Sequence, residues 1–135
     1  MSEKESKLAI EERQVGDVVV LSLKGEITLD DGELKFGRRI YGLLKEGQRK
    51  ILVDLAGVTY IDSAGVGIII AKYVSVRRAG GDVKLLNLSR RSVRVMTITR
   101  LLEVFETFDS EKEAVESFGA RSAAPSQPAA RRGSA

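Results

Sequence analysis

Residues 52–89 read LVDLAGVTYIDSAGVGIIIAKYVSVRRAGGDVKLLNLS, and this stretch decides the fold. Residues 51–55 are short and almost wholly apolar, which predicts a buried central strand. Propensity alone would assign residues 66–70 to a strand as well. However, Asp62 and Ser63 supply helix caps, and Gly80-Gly81 supply a stop about 17 residues later. That spacing is the length of a crossover helix, and residues 82–88 then predict the next strand.

Upstream of this unit, the sequence predicts a hairpin and a helix. Residues 8–14 and 18–24 predict two strands joined by a turn at residues 15–17, with Gly25 closing the second strand. Residues 30–32 (Asp-Asp-Gly) offer an N-cap. Apolar residues then recur at helical spacing up to Gly47, which predicts a first helix.

Downstream, the pattern predicts two more helices around a short strand. Ser89 would cap a helix that carries Val93, Met96 and Leu101. Residues 104–108 alternate like a short strand, and residues 110–113 (Ser-Glu-Lys-Glu) form a capping box before a final helix. The order β-β-α-β-α-β-α-β-α predicts an α/β fold. Its sheet is mixed and mostly parallel, with about five strands, an N-terminal hairpin and about four helices. Functional loops of such sheets lie at the carboxyl ends of strands, here residues 58–63 and the loop after Gly25.

Composition excludes several classes of chemistry. The 135 residues predict one compact domain. There are 0 Cys and 0 His, which excludes disulfide scaffolds, thiol nucleophiles, zinc fingers and imidazole-based triads. The 19 acidic residues all precede Gly119 and three of the 22 basic residues follow it, so residues 1–118 carry no net charge. With only 5% aromatic residues, this balance argues against a nucleic-acid partner.

The two ends of the chain differ in composition from the domain. Residues 1–7 are charged, with no apolar run behind them, and predict a flexible start rather than a signal peptide. Residues 119–135 contain no aliphatic side chain larger than Ala and predict a disordered tail. Residues 8–118 are the expected domain. No apolar run reaches the roughly 20 residues that span a bilayer, so we expect a cytoplasmic protein without membrane insertion.

Enzyme motifs are incomplete. Ser63 lies in Ile-Asp-Ser-Ala-Gly, but the esterase elbow needs glycine where Ile61 stands, and no histidine can take the proton. Val66 occupies the position of lysine in a Ser-x-x-Lys pair. Gly42 and Gly47 have P-loop spacing, but Gln48 follows instead of lysine. The sequence therefore predicts no enzyme, no metal site and no cofactor.

What stands out instead is a hydroxyl at a predicted helix N-terminus. Free backbone N–H groups and the helix dipole favour an anion there, so the fold would tolerate a phosphate on Ser63. From the residues alone, the competing interpretation is that Asp62 or Ser63 simply caps the helix.

The stretch from Leu52 to Ser89 resembles the STAS domain of bacterial anti-sigma factor antagonists. The resemblance rests on the Asp62-Ser63-Ala64-Gly65-Val66-Gly67 box after an apolar strand and on Gly80-Gly81 before the next strand. It covers residues 8–118, and the predicted element order agrees with the STAS fold.

This resemblance implies a binding switch. In such proteins the serine of the box, here Ser63, is phosphorylated by a partner that is both an anti-sigma factor and a serine kinase of the GHKL type. The unphosphorylated antagonist sequesters that partner and releases a sigma factor, and a phosphatase resets the switch. The residues expected to contact the partner are Glu26, Thr28, Asp30, Asp62, Ala64, Gly65 and Val66. The alternative is a STAS docking subunit of a membrane transporter or multiprotein sensory complex, without a serine switch.

One segment departs from the family pattern. The family usually has Gly-x-Leu/Ile-Asp after the second strand, and Gly25, Glu26 and Ile27 fit this pattern. Thr28 stands where the Asp would follow, and an acid returns only at Asp30. For Glu26 and Asp30, a solvated loop and a helix cap are the competing interpretations.

Overall fold

The computed structural model describes residues 7–89, 94 and 103–120, and these form a five-stranded mixed sheet in the order β1-β2-β3-β4-β5. The strands are β1 (Leu8–Val15), β2 (Val18–Ile27), β3 (Lys50–Ile61), β4 (Asp82–Leu86) and β5 (Thr107–Phe108). β1 and β2 are antiparallel, and the other neighbours are parallel. The predicted hairpin and mostly parallel sheet are confirmed. Gly16 has a φ of 63° in the two-residue turn, the conformation that glycine adopts without strain.

Helices connect β2 to β3 and β3 to β4. A continuous helical segment consists of α1 (Leu29–Asp31), a π-helix (Gly32–Gly37) and α2 (Arg38–Lys45). α3 (Ser63–Arg78) links β3 to β4, and α4 (Glu111–Ala120) follows β5. The Ser110 hydroxyl accepts a hydrogen bond from the Glu113 N–H (3.2 Å), so the predicted cap of α4 forms. None of the described helices is long and apolar enough to cross a membrane.

The sheet has one apolar cluster on each face. The larger cluster lies under the π-helix, α2 and α3, and its fully buried members include Leu21, Val53, Ile40 and Val66. The smaller lies under α4 and is formed by Val18, Val20, Leu52, Leu86, Ala114 and Phe118. The prediction that β3 is a buried central strand is confirmed, because Ile51, Leu52 and Val53 have no exposed surface.

Two strands are longer than predicted, which corrects the loop assignments. β2 does not close at Gly25 but continues to Ile27, and residues 58–61 belong to β3. Register shifts near Gly25 mark bulges that keep the two strands paired. Gly25 has a φ of 102°, and a Cβ there would overlap the Lys7 carbonyl oxygen. Glycine is therefore needed at position 25, because the strand has a bulge there and the backbone of Lys7 approaches closely.

Two predicted boundaries are also shifted. The predicted cap at residues 30–32 is wrong, because the helical segment begins at Leu29 and Thr28 is its N-cap residue. β4 ends at Leu86 rather than residue 88, and β5 has two residues rather than five.

Some predictions fall on residues that the structure does not describe. The helix predicted after Ser89, with Val93, Met96 and Leu101, lies mostly outside the described residues. So do residues 1–6 and 121–135 of the predicted flexible ends. The tail boundary itself changes, since α4 continues through Gly119 to Ala120.

Candidate functional site

The candidate site lies where β2 and β3 end side by side. Ile27 and Ile61 are register partners in the parallel pair, and each is followed by one extended residue and then a helix. Leu29 and Ser63 therefore begin neighbouring helical segments at the same edge of the sheet. Carboxyl ends of parallel strands commonly carry functional residues for this reason.

Asp62 and Ser63 have different structural roles. Asp62 is the N-cap of α3, and its Oδ1 accepts a hydrogen bond from the Gly65 N–H at 2.8 Å. Ser63 is the first helical residue, and it is exposed. The carboxylate therefore satisfies the helix terminus, and the Ser63 hydroxyl is not the capping group.

Two of the expected contact residues point inward. Val66 has no exposed surface and belongs to the larger apolar cluster. Gly65 is buried, and a Cβ there would overlap the carbonyl oxygen of Ile27. Gly65 and Val66 were expected to contact the partner, but both are buried and present almost no surface to one. Their observed role is to let α3 approach the end of β2, and Ala64 beside them is half-buried.

The other expected contact residues sit on the neighbouring strand end. Glu26 lies within β2, half-buried, and its N–H donates to the Lys7 carbonyl oxygen at 2.8 Å. Thr28 is extended and half-buried, with no side-chain capping hydrogen bond. Asp30 is exposed in the first helical turn, where a negative charge suits the helix dipole. Asp31 accepts a hydrogen bond from the Lys7 N–H (2.9 Å), which holds the start of β1 next to the carboxyl ends of β2 and β3.

Sequence reasoning missed two apolar residues on this surface. Leu29 is 60% exposed and Tyr60 is 40% exposed, each close in sequence to the paired ends of β2 and β3. Nothing in the apolar pattern separates them from core positions, because a surface leucine and a buried one look alike in sequence. Together with Ser63 and Asp30 they make the edge a mixed apolar and polar surface. Among the described residues, no cluster of three or more acidic side chains could hold a metal ion.

Comparison with known proteins identifies the class to which this fold and site belong. The family model described as the STAS domain matches residues 9–114, so the chain belongs to the STAS domain family. An anti-sigma factor antagonist homologue of Thermotoga neapolitana is 34% identical over 103 residues, which cover 76% of this chain and 90% of that protein. The anti-sigma-B factor antagonist of Bacillus subtilis is 27% identical over 97 residues, 72% of this chain and 87% of that one.

Solved structures agree on the fold. An anti-sigma factor antagonist from Thermotoga maritima superposes with a TM-score of 0.74 at 28% identity, covering 80% of this chain and 92% of that one. A sulfate transporter family protein from Wolinella succinogenes has a TM-score of 0.62 at 16% identity, covering 78% and 88%. At that identity the second likeness concerns the fold alone.

Proposed function

We propose that this protein is an anti-sigma factor antagonist whose binding to an anti-sigma factor is controlled by phosphorylation of Ser63. The observation that carries the proposal is the division of roles at the start of α3. Asp62 caps the helix, so the exposed Ser63 hydroxyl is left available for modification. The relatives named as anti-sigma factor antagonists support the same general function.

The proposed partner is an anti-sigma factor that is also a serine kinase of the GHKL type, and a phosphatase would reverse the modification. In this scheme the protein is a binding switch without catalytic activity of its own, and it acts in the cytoplasm. Leu29 and Tyr60 would supply apolar contact area at the same strand ends as Ser63, since exposed apolar surface marks sites of protein–protein interaction.

Phosphorylation would act through charge rather than through the fold. A phosphoserine adds about −1.5 to −2 charges at pH 7, which a helix N-terminus accepts. A partner packed against the same surface would have to desolvate that charge at a cost of several kcal/mol. A loss of about 3–4 kcal/mol already lowers affinity a hundredfold or more.

The test is a calorimetric titration of the GHKL-type anti-sigma factor from the same genome with four forms of this protein. Wild type and Ser63→Ala should bind alike. Ser63→Glu should bind more weakly, although its single negative charge imitates only part of the charge of a phosphate. Ser75→Glu is the matched control, because Ser75 is an exposed serine on the same helix and far from its N-terminus. Incubation with ATP followed by mass spectrometry should place the phosphate on Ser63. Phosphate elsewhere, or equal affinity for phosphorylated and unphosphorylated protein, would refute the switch.

A second candidate function has one observation in its favour. The same fold occurs in a sulfate transporter family protein, so the second candidate is a docking subunit of a membrane transporter or multiprotein sensory complex without a serine switch. Under that function, Ser63→Glu and Ser75→Glu would leave partner binding equally intact.

A further inference from the structure

The outer edge of the sheet at β1 carries backbone N–H and C=O groups that do not pair with β2. Within the described residues, β2 is the only strand that pairs with β1. Val15 and Val18 flank the two-residue turn, so alternate residues back from Val15 form the hydrogen-bonded pairs with β2. The bond from the Glu26 N–H to the Lys7 carbonyl agrees with this alternation. The N–H and C=O groups of Ile10, Glu12 and Gln14 therefore point away from β2.

Beside this edge lies an open groove of about 280 Å³ between β1 and the helical segment. Its lining residues are Ile10, Glu12, Leu34, Lys35 and Arg39. Leu34 is 53% exposed there, although it is a large apolar side chain. A strand added to β1 would send alternate side chains into this groove, which is how added strands gain specificity.

We propose that a second copy of this chain pairs with β1, antiparallel, about a twofold axis that passes through Glu12. The proposal goes beyond the function proposed above and does not depend on it. Two copies of β1 related by a twofold axis can form a hydrogen-bonded ladder only in registers that place residues with outward-pointing backbone groups opposite one another. In each such register the axis passes through one residue of β1. The charges of the side chains that then face each other distinguish the registers.

In the register centred on Glu12, opposite charges meet on the face that carries α4. Glu11 lies opposite Arg13 of the second copy, and Arg13 lies opposite Glu11 of the second copy. Both are non-hydrogen-bonded pairs, in which Cα atoms approach to about 4.5 Å and side chains interact most strongly. Ala9 lies opposite Val15 of the second copy, which adds an apolar pair at each end.

The adjacent registers are disfavoured by like charges. A shift in one direction places Glu11 opposite Glu11, and a shift in the other places Arg13 opposite Arg13. Each of the three registers contains one like-charge pair, which is destabilising, but the register centred on Glu12 also contains two opposite-charge pairs and the adjacent registers contain none. The charged edge that normally prevents strand addition therefore permits one register and opposes its neighbours.

At the centre of this register Glu12 lies opposite Glu12 of the second copy, but cationic side chains lie close to both carboxylates. Arg39 already holds the Glu12 carboxylate through two hydrogen bonds, of 2.6 and 3.1 Å. Lys35 lines the same groove, and among the described residues it has no carboxylate within salt-bridge distance. The two glutamates would thus lie among four cationic groups, two from each copy.

The first test is the molar mass in solution, by light scattering over a concentration series. Arg13 also forms an ion pair with Glu111 (2.7 Å) and Glu11 one with Lys24 (3.2 Å), so every variant is made in a Lys24→Gln/Glu111→Gln background. That background should give a mass of twice 14.7 kDa at high concentration. Arg13→Glu should raise the dimer dissociation constant at least tenfold, and the double variant Glu11→Arg/Arg13→Glu should restore it. A monomer at every concentration, or a dimer indifferent to Arg13→Glu, would overturn the proposal.

The second test fixes the register by disulfide trapping, which is direct because the chain has 0 Cys. Glu12→Cys should crosslink to itself under mild oxidation, because a hydrogen-bonded pair has Cα atoms about 5.5 Å apart. An equal mixture of Glu11→Cys and Arg13→Cys proteins should give the mixed dimer. Glu11→Cys alone should crosslink far more slowly, and its rapid self-crosslinking would contradict the register.

Discussion

At the scale of single residues, the box at the start of α3 combines positions with separate tasks. Asp62 satisfies the helix terminus, Ser63 is exposed, and Gly65 allows α3 to contact the backbone of β2. Gly67 is also a glycine of this helix, but it is exposed, and a Cβ there would meet nothing within 4 Å. The two glycines therefore form a natural pair for comparison.

We expect Gly65→Ala and Gly67→Ala to change stability in opposite directions. The Gly65 variant must displace the Ile27 carbonyl, which is backbone and cannot swing away, so it should lose at least about 1–3 kcal/mol. Gly67→Ala fills open space in an exposed helix and should gain about 0.5–1 kcal/mol. Urea denaturation of both variants measures the difference. An equal effect at the two positions would show that α3 does not pack against β2 as described.

Sequence reasoning reached the cap of α3 but not the exposure of each residue. The pattern left open whether Asp62 or Ser63 capped the helix, because both residue types favour that position. Exposure of Leu29 and burial of Val66 depend on how α1 and α3 turn relative to the sheet. Neither quantity is contained in a local pattern of apolar residues.

At the scale of elements, the helical segment before β3 shows what periodicity predicts and what it misses. The recurrence of apolar residues up to Gly47 predicted a helix correctly. The π-helix at Gly32–Gly37, which packs against α3, was not predicted, because the pattern of apolar residues does not distinguish its wider turn from an α-helix. A Cβ at Gly32 would lie 2.9 Å from the Ile68 Cδ1, and the Lys72–Glu33 ion pair (3.4 Å) spans the same two segments. Likewise, the extension of β2 past Gly25 depends on a bulge partner that is distant in sequence.

α4 is held to the sheet around a buried lysine that sequence reasoning did not single out. Lys84 on β4 is 6% exposed, and its Nζ lies 2.8 Å from both the Glu106 Oε1 and the Ser117 Oγ. The ammonium is also 4.6 Å from the centre of the Phe118 ring. The long side chain thus fills space between β4 and α4 while its charge is paired.

We expect the volume of Lys84 to matter more for stability than its charge. Lys84→Met should change the free energy of unfolding by no more than about 1 kcal/mol, because half-exposed Glu106 regains water and Ser117 keeps its bond to the Ala114 carbonyl. Lys84→Ala should cost about 2 kcal/mol or more through the cavity under Phe118. Chemical denaturation measures both values. If the methionine variant lost as much as the alanine variant, the ion pair would be the main contribution.

At the scale of the whole molecule, carboxylates contribute to stability with opposite dependence on pH. The two hydrogen bonds from Arg13 lower the pKa of Glu111, and the hydrogen bond from Lys50 lowers the pKa of Asp17. Their stabilisation is present above the pKa of the unfolded chain and is lost as pH falls through the folded value. Both pairs are exposed, so each contribution is small and screened by salt.

Asp82 at the start of β4 behaves in the opposite way. Burial raises its pKa, although nearby Arg77 and Lys84 act against the shift. A raised folded pKa means that the native state binds a proton more readily than the unfolded chain does. The stability from this group is therefore complete below the unfolded pKa of about 3.9 and is lost as pH rises through the folded value.

This sign leads to a prediction for Asp82→Asn, which keeps an oxygen that can accept the 2.9 Å hydrogen bond from the Val83 N–H. The variant should be more stable than wild type at pH 7, because it removes a desolvated charge, and the difference should shrink toward zero by about pH 3. Glu111→Gln should show the reverse, a small loss at pH 7 that also disappears in acid. Thermal unfolding of the three proteins from pH 3 to pH 7 measures these trends.

The Lys84–Glu106 pair lies close to Asp82, and the Lys84 ammonium opposes the raised pKa of Asp82. Lys84→Met removes this cation and should therefore enlarge the gain in stability from Asp82→Asn at pH 7. An Asp82→Asn variant that loses stability at pH 7 would show instead that the 3.6 Å contact with Arg77 outweighs the cost of burying the carboxylate.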